Sequence, residues 1–298
     1  MRRWLLLISL LAPGFAGAGT PPPLLPVDTP RISLIIDDLG NQWHEGRAII
    51  QLPGEVTVSI MPYTPFAVRL AHLAHREHKE IMLHLPMESV DERFLGKGGL
   101  NEKMDLAQFD HSLYQSLDAV PDISGVNNHM GSRLTQDATR MSWLMAGLMH
   151  HGELYFVDSR TTRLSKANAV AREYGLEHAR RDVFLDDVRT QPEISKQWKH
   201  LLALARRRGS AIAIGHPYPE TIKFLQQALP QLKQRGIRLI PVSKLIQWRQ
   251  TRRRLAWQTQ PSSSPSPRAV KNSKPSPSST CCAAPASTSS APDLMSAR

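Results

Sequence analysis

The run ISLIIDDLG at residues 32–40 is apolar until it ends in two adjacent carboxylates, Asp37 and Asp38. Two carboxylates that close repel each other unless a proton or cation sits between them, so a divalent metal is the economical partner. One of the pair can then bind the ion while the other stays ionised and accepts a proton from water. Further ligands are needed, and His84 in HLPME and His129 in NNHMGS are the best candidates. Imidazole and carboxylate together suit zinc or a similar first-row ion held at three protein positions. Glu88, four residues after His84, is an additional ligand or a supporting neighbour, and Asn128 beside His129 is read the same way.

Such groups can meet only if the chain presents them from one side. Short β-branched runs alternate along the sequence with helical patterns, and RISLIIDD, VTVSIMP, EIMLHLP, SGVNNHM, ELYFVDS, DVFLDD, SAIAIGHP and IRLIPVS read as strands. The helical stretches between them have recognisable limits. Thr135 is the expected cap of a helix over 135–150, and Gly175, Gly209 and Gly236 stand just past helix ends. Seven or eight strands alternating with helices predict a parallel sheet covered by helices, an α/β fold. The segment after the first strand is not a GxGxxG turn, which disfavours an open dinucleotide-binding sheet and favours an irregular, closed or nearly closed β/α barrel.

Asp37, Asp38, His84, residues 127–129, Asp158, Asp186, Asp187 and His216 all fall at the carboxyl ends of these strands. That is the face on which β/α barrels build their sites. A turn beginning at Leu39 and Gly40 is expected to let both aspartates reach one cleft. Taken singly, each group has a plainer reading: a helix cap for the aspartates, a hydrogen-bonded core position for His84, an Asx-rich turn for NNHMGS. Their shared placement is what favours a site.

The ordered motifs IIDDLG, EIMLHLPME, GVNNHMGS, FVDSRT and IAIGHP resemble the divergent polysaccharide deacetylase family, a branch of the NodB-type carbohydrate esterases. The similarity spans residues 31–248, with GVNNHMGSRLT its most specific run. The resemblance implies an irregular β/α barrel in which Asp37 is the base and Asp38 a metal ligand. In the broader family the third strand ends in a His-x-x-x-His pair; here His84 matches the first histidine and Glu88 stands in place of the second. His129, on the next strand, supplies the missing imidazole, an assignment made from strand-end placement and not carried over from the family. The expected metal set is therefore Asp38, His84 and His129. His216 resembles the general acid toward the leaving amine, and Asp158 the acidic residue that orients it. The implied reaction is attack of water, assisted by Asp37, on an acetamide carbonyl of an N-acetylated envelope or peptidoglycan-like polysaccharide. The metal and a backbone N–H would stabilise the oxyanion.

The ends of the chain read differently from the body. Residues 1–18 carry two arginines, an apolar run from Trp4 to Ala12 and an AGA stretch, the pattern of a cleaved signal peptide, with an uncleaved anchor as the alternative. A secreted or periplasmic location with no membrane-spanning segment in the mature chain is the expectation. Residues 30–249 suit one barrel domain, and 250–298 are Ser/Pro-rich with too little apolar content to bury, which predicts disorder. Of the formal charge of +11, residues 249–298 carry +7 and Arg2 with Arg3 carry +2, so the body holds only about +2 and a nucleic-acid partner loses its support. The basic tail could touch an anionic envelope surface. Cys281 and Cys282 are adjacent and lie in that tail, so no disulfide staples the fold.

Two other functions compete with the deacetylase. One is a non-catalytic barrel that binds glycan or an envelope protein through the same cleft, a reading favoured by Glu88. The other is a different metal-assisted hydrolase, disfavoured because no Arg or Lys cluster marks the strand ends for a phosphate ester.

Overall fold

The computed structural model describes residues 29–258. The expected signal segment 1–18, the tail from residue 259 onward and Cys281 and Cys282 lie outside the described residues. Strands and helices alternate in the order β1 (Arg31–Leu39), α1 (Trp43–Ile50), β2 (Thr57–Ile60), α2 (Ala67–Arg76), β3 (Ile81–Met87), α3 (Leu106–Asp118) and β4 (Ile123–Met130). There follow α4 (Ala138–His151), β5 (Tyr155–Asp158), α5 (Ala167–Glu173), β6 (His178–Arg180), β7 (Val183–Phe184), α6 (Gln191–Arg208), β8 (Ser210–Gly215), α7 (Pro219–Ala228), β9 (Arg238–Leu239) and α8 (Val242–Gln258).

The strands form one sheet in the order β6-β5-β4-β3-β2-β1-β8-β7, with β9 added to β1. Every pairing is parallel. The two edges are joined by Arg181 and Asp182 alone: Arg181 N donates to Asp158 O beside β5, and Asp182 N donates to Ile212 O on β8. One extended stretch thus leaves one edge and joins the other, so the sheet curls into the irregular, NodB-like β/α barrel that the sequence predicts, more open along the seam than expected. The short strand β6 was not among the expected strands, and DVFLDD contributes only Val183 and Phe184 as strand.

Side chains alternate across a strand, and this parity divides the core into two layers. Ile32, Leu34 and Ile36 of β1, Leu83 and Leu85 of β3, Phe156 of β5 and Ala211 and Ala213 of β8 face the helices. Ile35, Met82, Tyr155, Val157, Ile212 and Ile214 face the barrel interior and pack on Val242, Leu245 and Ile246 of α8. Helix α8 plugs the amino end of the barrel. Glu80, just before β3, caps it by accepting from Val242 N at 2.7 Å and Ser243 N at 3.1 Å, a carboxylate at a helix N-terminus where the dipole favours it.

Some boundaries differ from expectation for visible reasons. Asp137, not Thr135, caps α4, accepting from Thr139 N and Arg140 N, while the Thr135 hydroxyl donates to Gly131 O in the preceding turn. Helix α7 stops at Ala228 because Pro230 follows in a short 3-10 turn over Leu229–Gln231. Helix α8 runs on to Gln258, so the first residues assigned to a disordered tail are helical. The expected left-handed glycines past α5 and α6 are present, Gly175 with φ +71° and Gly209 with φ +84°. No helix among the described residues is long and apolar enough to cross a membrane.

Candidate metal centre

The two aspartates of β1 belong by parity on opposite faces of the sheet. Ile35 and Asp37 point into the barrel, and a regular strand would send Asp38 outward. The register with β2 shifts between Ile36 and Leu39, which marks a bulge, and Asp38 adopts a left-handed φ of +60°. A bulge of this kind re-aims a side chain at a sheet's functional edge. Asp38 is therefore turned back toward the interior by its own backbone, one residue earlier than the turn expected at Leu39 and Gly40.

Three ligand-type atoms converge there. Asp38 Oδ1 lies 3.0 Å from His129 Nδ1 and 3.2 Å from His84 Nε2, and the two imidazole nitrogens are 3.1 Å apart. Asp38 Oδ1 is buried yet makes no properly angled hydrogen bond. Ligands about 2.0 Å from a tetrahedral zinc ion would be ~3.3 Å from one another. An orphaned buried carboxylate oxygen with two imidazole nitrogens at that spacing fits a small divalent cation. The group Asp38, His84 and His129 is the one cluster of metal-binding side chains among the described residues.

Neighbouring groups set the proton positions. Asn127 Nδ2 donates to Asp37 Oδ1 at 2.8 Å, so Asn127 Oδ1 is the atom that faces His84 Nδ1 at 2.8 Å and accepts from the Ser59 hydroxyl at 2.7 Å. His84 Nδ1 must then carry a hydrogen, and in the neutral ring Nε2 presents its lone pair to the cluster. This is the outer hydrogen bond that orients a ligating histidine. His84 and Asn127 are direct partners in the β3–β4 ladder, which is why the bond is short.

The charges follow the same logic. Burial opposes charge on His84, yet Asp37 and Asp38 overcome it and hold the imidazole up at about 9. Burial would raise Asp38, but the adjoining His129 and His84 hold it well below the carboxylate range. Asp37 is raised, chiefly by burial, with His84, His216 and Asn127 opposing. The pocket is built to favour positive charge between its carboxylates, whether a proton or a metal supplies it.

His216, just after β8, closes the group from the other flank. Its Nε2 is 3.9 Å from Asp38 Oδ2, and its Nδ1 meets Asp186 Oδ1 at 2.9 Å. Asp186 Oδ2 also accepts from His216 N and from the Thr221 hydroxyl, each at 2.7 Å. Burial lowers His216, but Asp186, Asp37 and Asp38 together raise it above the ordinary range. The rim of the barrel's inner face thus presents a histidine with a fixed Nδ1–H and an Nε2 turned toward the cluster.

Two expectations need correction. Asp158 does not orient His216: it accepts from Arg160 N at 2.8 Å and from the Ser165 hydroxyl at 2.8 Å, organising the β5–α5 loop. Tyr155 and Val157 occupy the inward positions of β5, so Asp158 is out of phase with the interior, and its carboxylate is taken up by Arg160 N and Ser165. Glu88 is not a ligand in this arrangement. It accepts from Glu102 N at 2.8 Å and lies 3.7 Å from Arg133, tying the loop after β3 to the loop after β4. Asn128 touches none of the three cluster residues: it donates to Met130 O at 2.7 Å and accepts from Ser159 N at 2.9 Å.

Asn127 and Asp186 are the groups to which the sequence reading gave no role. The signal for both was parity: Asn127 shares the face of His129, and Asp186 continues the inward phase of Phe184. Arg181 is a third. Its side chain donates to Ser159 O and Arg160 O across the seam, placing a half-buried guanidinium near Asp37 and Asp158.

Fold and site together define a curled parallel β/α barrel with a His/Asp centre at the carboxyl ends of its strands. A profile of the divergent polysaccharide deacetylase family matches residues 34–246. An uncharacterized protein of Haemophilus influenzae is 37% identical over 219 residues, 74% of this chain and 77% of that one. The uncharacterized protein YibQ of Escherichia coli is 34% identical over 221 residues, 74% of this chain and 69% of that one. The crystal structure of uncharacterized protein ATU2773 from Agrobacterium tumefaciens C58 superposes with a TM-score of 0.71 at 25% identity, over 75% of this chain and 92% of that one. The chain belongs to the divergent polysaccharide deacetylase family.

Proposed function

We propose that this protein is a secreted or periplasmic, metal-dependent hydrolase that removes N-acetyl groups from an envelope or extracellular glycan of peptidoglycan-like chemistry. The observation that carries the reading is that one His/Asp cluster is flanked by two groups with opposite roles, a second carboxylate, Asp37, and a carboxylate-backed histidine, His216. Asp38, His84 and His129 would hold the metal, with zinc the leading choice for this donor set. When bound, such an ion supplies Lewis acidity and makes water a better nucleophile at neutral pH.

The proton transfers fall to the chain's own residues. Asp37 Oδ1 is occupied by Asn127, so Oδ2 is the oxygen left to accept the proton of an attacking water. Its raised pKa makes it a stronger base than an exposed aspartate. His216, with Nδ1–H committed to Asp186, delivers its proton from Nε2 to the departing amine. The raised pKa of His216 keeps more of it in the acid form near neutral pH. Without that proton the amine would leave as a strongly basic anion.

A non-catalytic binding barrel is the second reading, and the substitution of Glu88 for the expected histidine is the observation on its side. Against it, His129 supplies an imidazole at ligand distance from the other two donors. The test is acetate release from N-acetylated glycan oligomers and from peptidoglycan by the zinc-supplemented full chain. Turnover that falls by about 10²-fold or more in Asp37→Asn and His216→Ala, with glycan binding retained, supports the hydrolase. Glycan binding with no acetate release in the parent protein would leave the binding barrel.

A further inference from the structure

A cavity of about 470 Å³ opens at the other end of the barrel from the metal centre. Its lining includes His178 and Ser210, the first residues of β6 and β8, whereas the His/Asp cluster sits where strands end. Six guanidinium groups line it: Arg172 from α5, Arg180 from β6, Arg208 from α6, and Arg249, Arg252 and Arg253 from α8. Asp182 is the one carboxylate in the lining, and it is already used. Its Oδ1 faces Arg208 at 3.4 Å, and its Oδ2 faces Arg249 at 3.0 Å and accepts from Ile212 N at 3.0 Å.

Two of the remaining charges, those of Arg172 and Arg180, serve no internal purpose that the packing explains. Among the described residues, no hydrogen bond or ion pair engages the side chains of Arg172 or Arg180, although both border the cavity. Two of the walls are held in place: Arg249 Nε donates to the Ser210 hydroxyl at 2.9 Å, and Arg252 lies over the Trp248 ring at 5.1 Å. His178 is depressed by its burial and by the nearby Arg253 and Arg172 charges, so its imidazole stays neutral and adds no charge of its own. Assembling this many like charges around a concavity raises the energy of the empty state and favours an anion that carries more than one charge.

We propose that this cavity is a binding site for a phosphate-bearing ligand, at the opposite end of the barrel from the metal centre. Guanidinium groups match phosphate oxygens through paired N–H donors, and several around one concavity suit a diphosphate or a phosphorylated headgroup better than a single carboxylate. The volume leaves room for such a group. The same chemistry could be presented by a soluble phosphorylated sugar or by an anionic lipid headgroup, and the two sources are separable by experiment.

The test uses the full chain and two probes, inorganic pyrophosphate followed by calorimetry, and sedimenting vesicles of phosphatidylglycerol compared with phosphatidylcholine. The expected result is saturable pyrophosphate binding that Arg172→Gln with Arg180→Gln weakens about tenfold, while Arg268→Gln with Lys271→Gln in the tail leaves it unchanged. Asp38→Ala should also leave it unchanged, which separates the cavity from the metal centre. Vesicle binding that is lost in the same Arg172/Arg180 variant assigns a lipid headgroup; pyrophosphate binding without vesicle binding assigns a soluble phosphorylated ligand. The proposal is overturned if neither probe binds at low salt, or if binding follows the tail substitutions or Asp38→Ala in place of the cavity arginines.

Discussion

At His216, the partner on Nδ1 decides what the other nitrogen can do. Asp186 holds Nδ1–H at 2.9 Å, and the bonds from His216 N and Thr221 fix that carboxylate in turn. Replacing Asp186 with Asn keeps the shape but removes the charge that stabilises the imidazolium. Asp186→Asn should therefore lower acetate release about 10²-fold or more and move the alkaline limb of the rate profile to lower pH, because His216 then loses its proton earlier. Asp158→Asn should leave that limb in place; if it moves the limb and Asp186→Asn does not, the assignment of the two carboxylates is reversed. At this scale much of the site was legible in the sequence. Asp37, Asp38, His84, His129 and His216 were identifiable as polar endings of apolar strands. The choice of Asp158 over Asp186 was not, because it depends on strand phase and on which strand neighbours β8. Counting in steps of two from Val157 and from Phe184 would have separated them, since only Asp186 falls on the inward phase.

Elements place these residues through local departures from regularity. The bulge in β1 and the left-handed Asp38 bring two neighbouring carboxylates to one side, which no regular strand allows. In β4 the regular alternation does the opposite service: Asn127 and His129 share the inner face, and Asn128 between them anchors the strand's end outward. Asn128 bridges Met130 O and Ser159 N, so it holds the end of β4 against the loop after β5. Asn128→Ala removes both bonds, loosens the strand end that carries His129, and should weaken zinc affinity about tenfold without disturbing the cooperativity of unfolding. Unchanged affinity, measured by chelator competition, would mean that His129 is held by other contacts. Helices α5 and α6 were legible from their glycine stops, whereas α1, α3 and α8 were not among the expected helices. Helix starts were less legible, because Thr135 and Asp137 are both good caps and only the tertiary turn at Gly131 decides between them.

The whole molecule separates stability from chemistry along the barrel axis. The carboxyl end of the sheet carries the His/Asp centre, while the amino end is sealed by α8 through Val242, Leu245 and Ile246 and capped by Glu80. Leu245→Ala opens a void in that inner core and should destabilise the protein by about 2–5 kcal/mol in denaturant titrations, with metal stoichiometry unchanged. A loss of metal in this variant would show that the two ends are not independent. The alternation of strands and helices made the barrel class predictable, but not its seam. DVFLDD reads as a strand while residues 178–180 carry no strand signal, and only the pairing of Arg181 with β5 and Asp182 with β8 reveals that the chain changes edges there. The proposed chemistry depends on Asp38, His84 and His129 binding one ion. Elemental analysis of the full chain after zinc loading and exhaustive dialysis tests it directly, with Asp38→Ala, His84→Ala and His129→Ala measured alongside. About one zinc per chain is expected in the parent protein and strong depletion in each variant, with the fold retained; a metal-free parent, or three variants that keep a full equivalent, would rule out this ligand set.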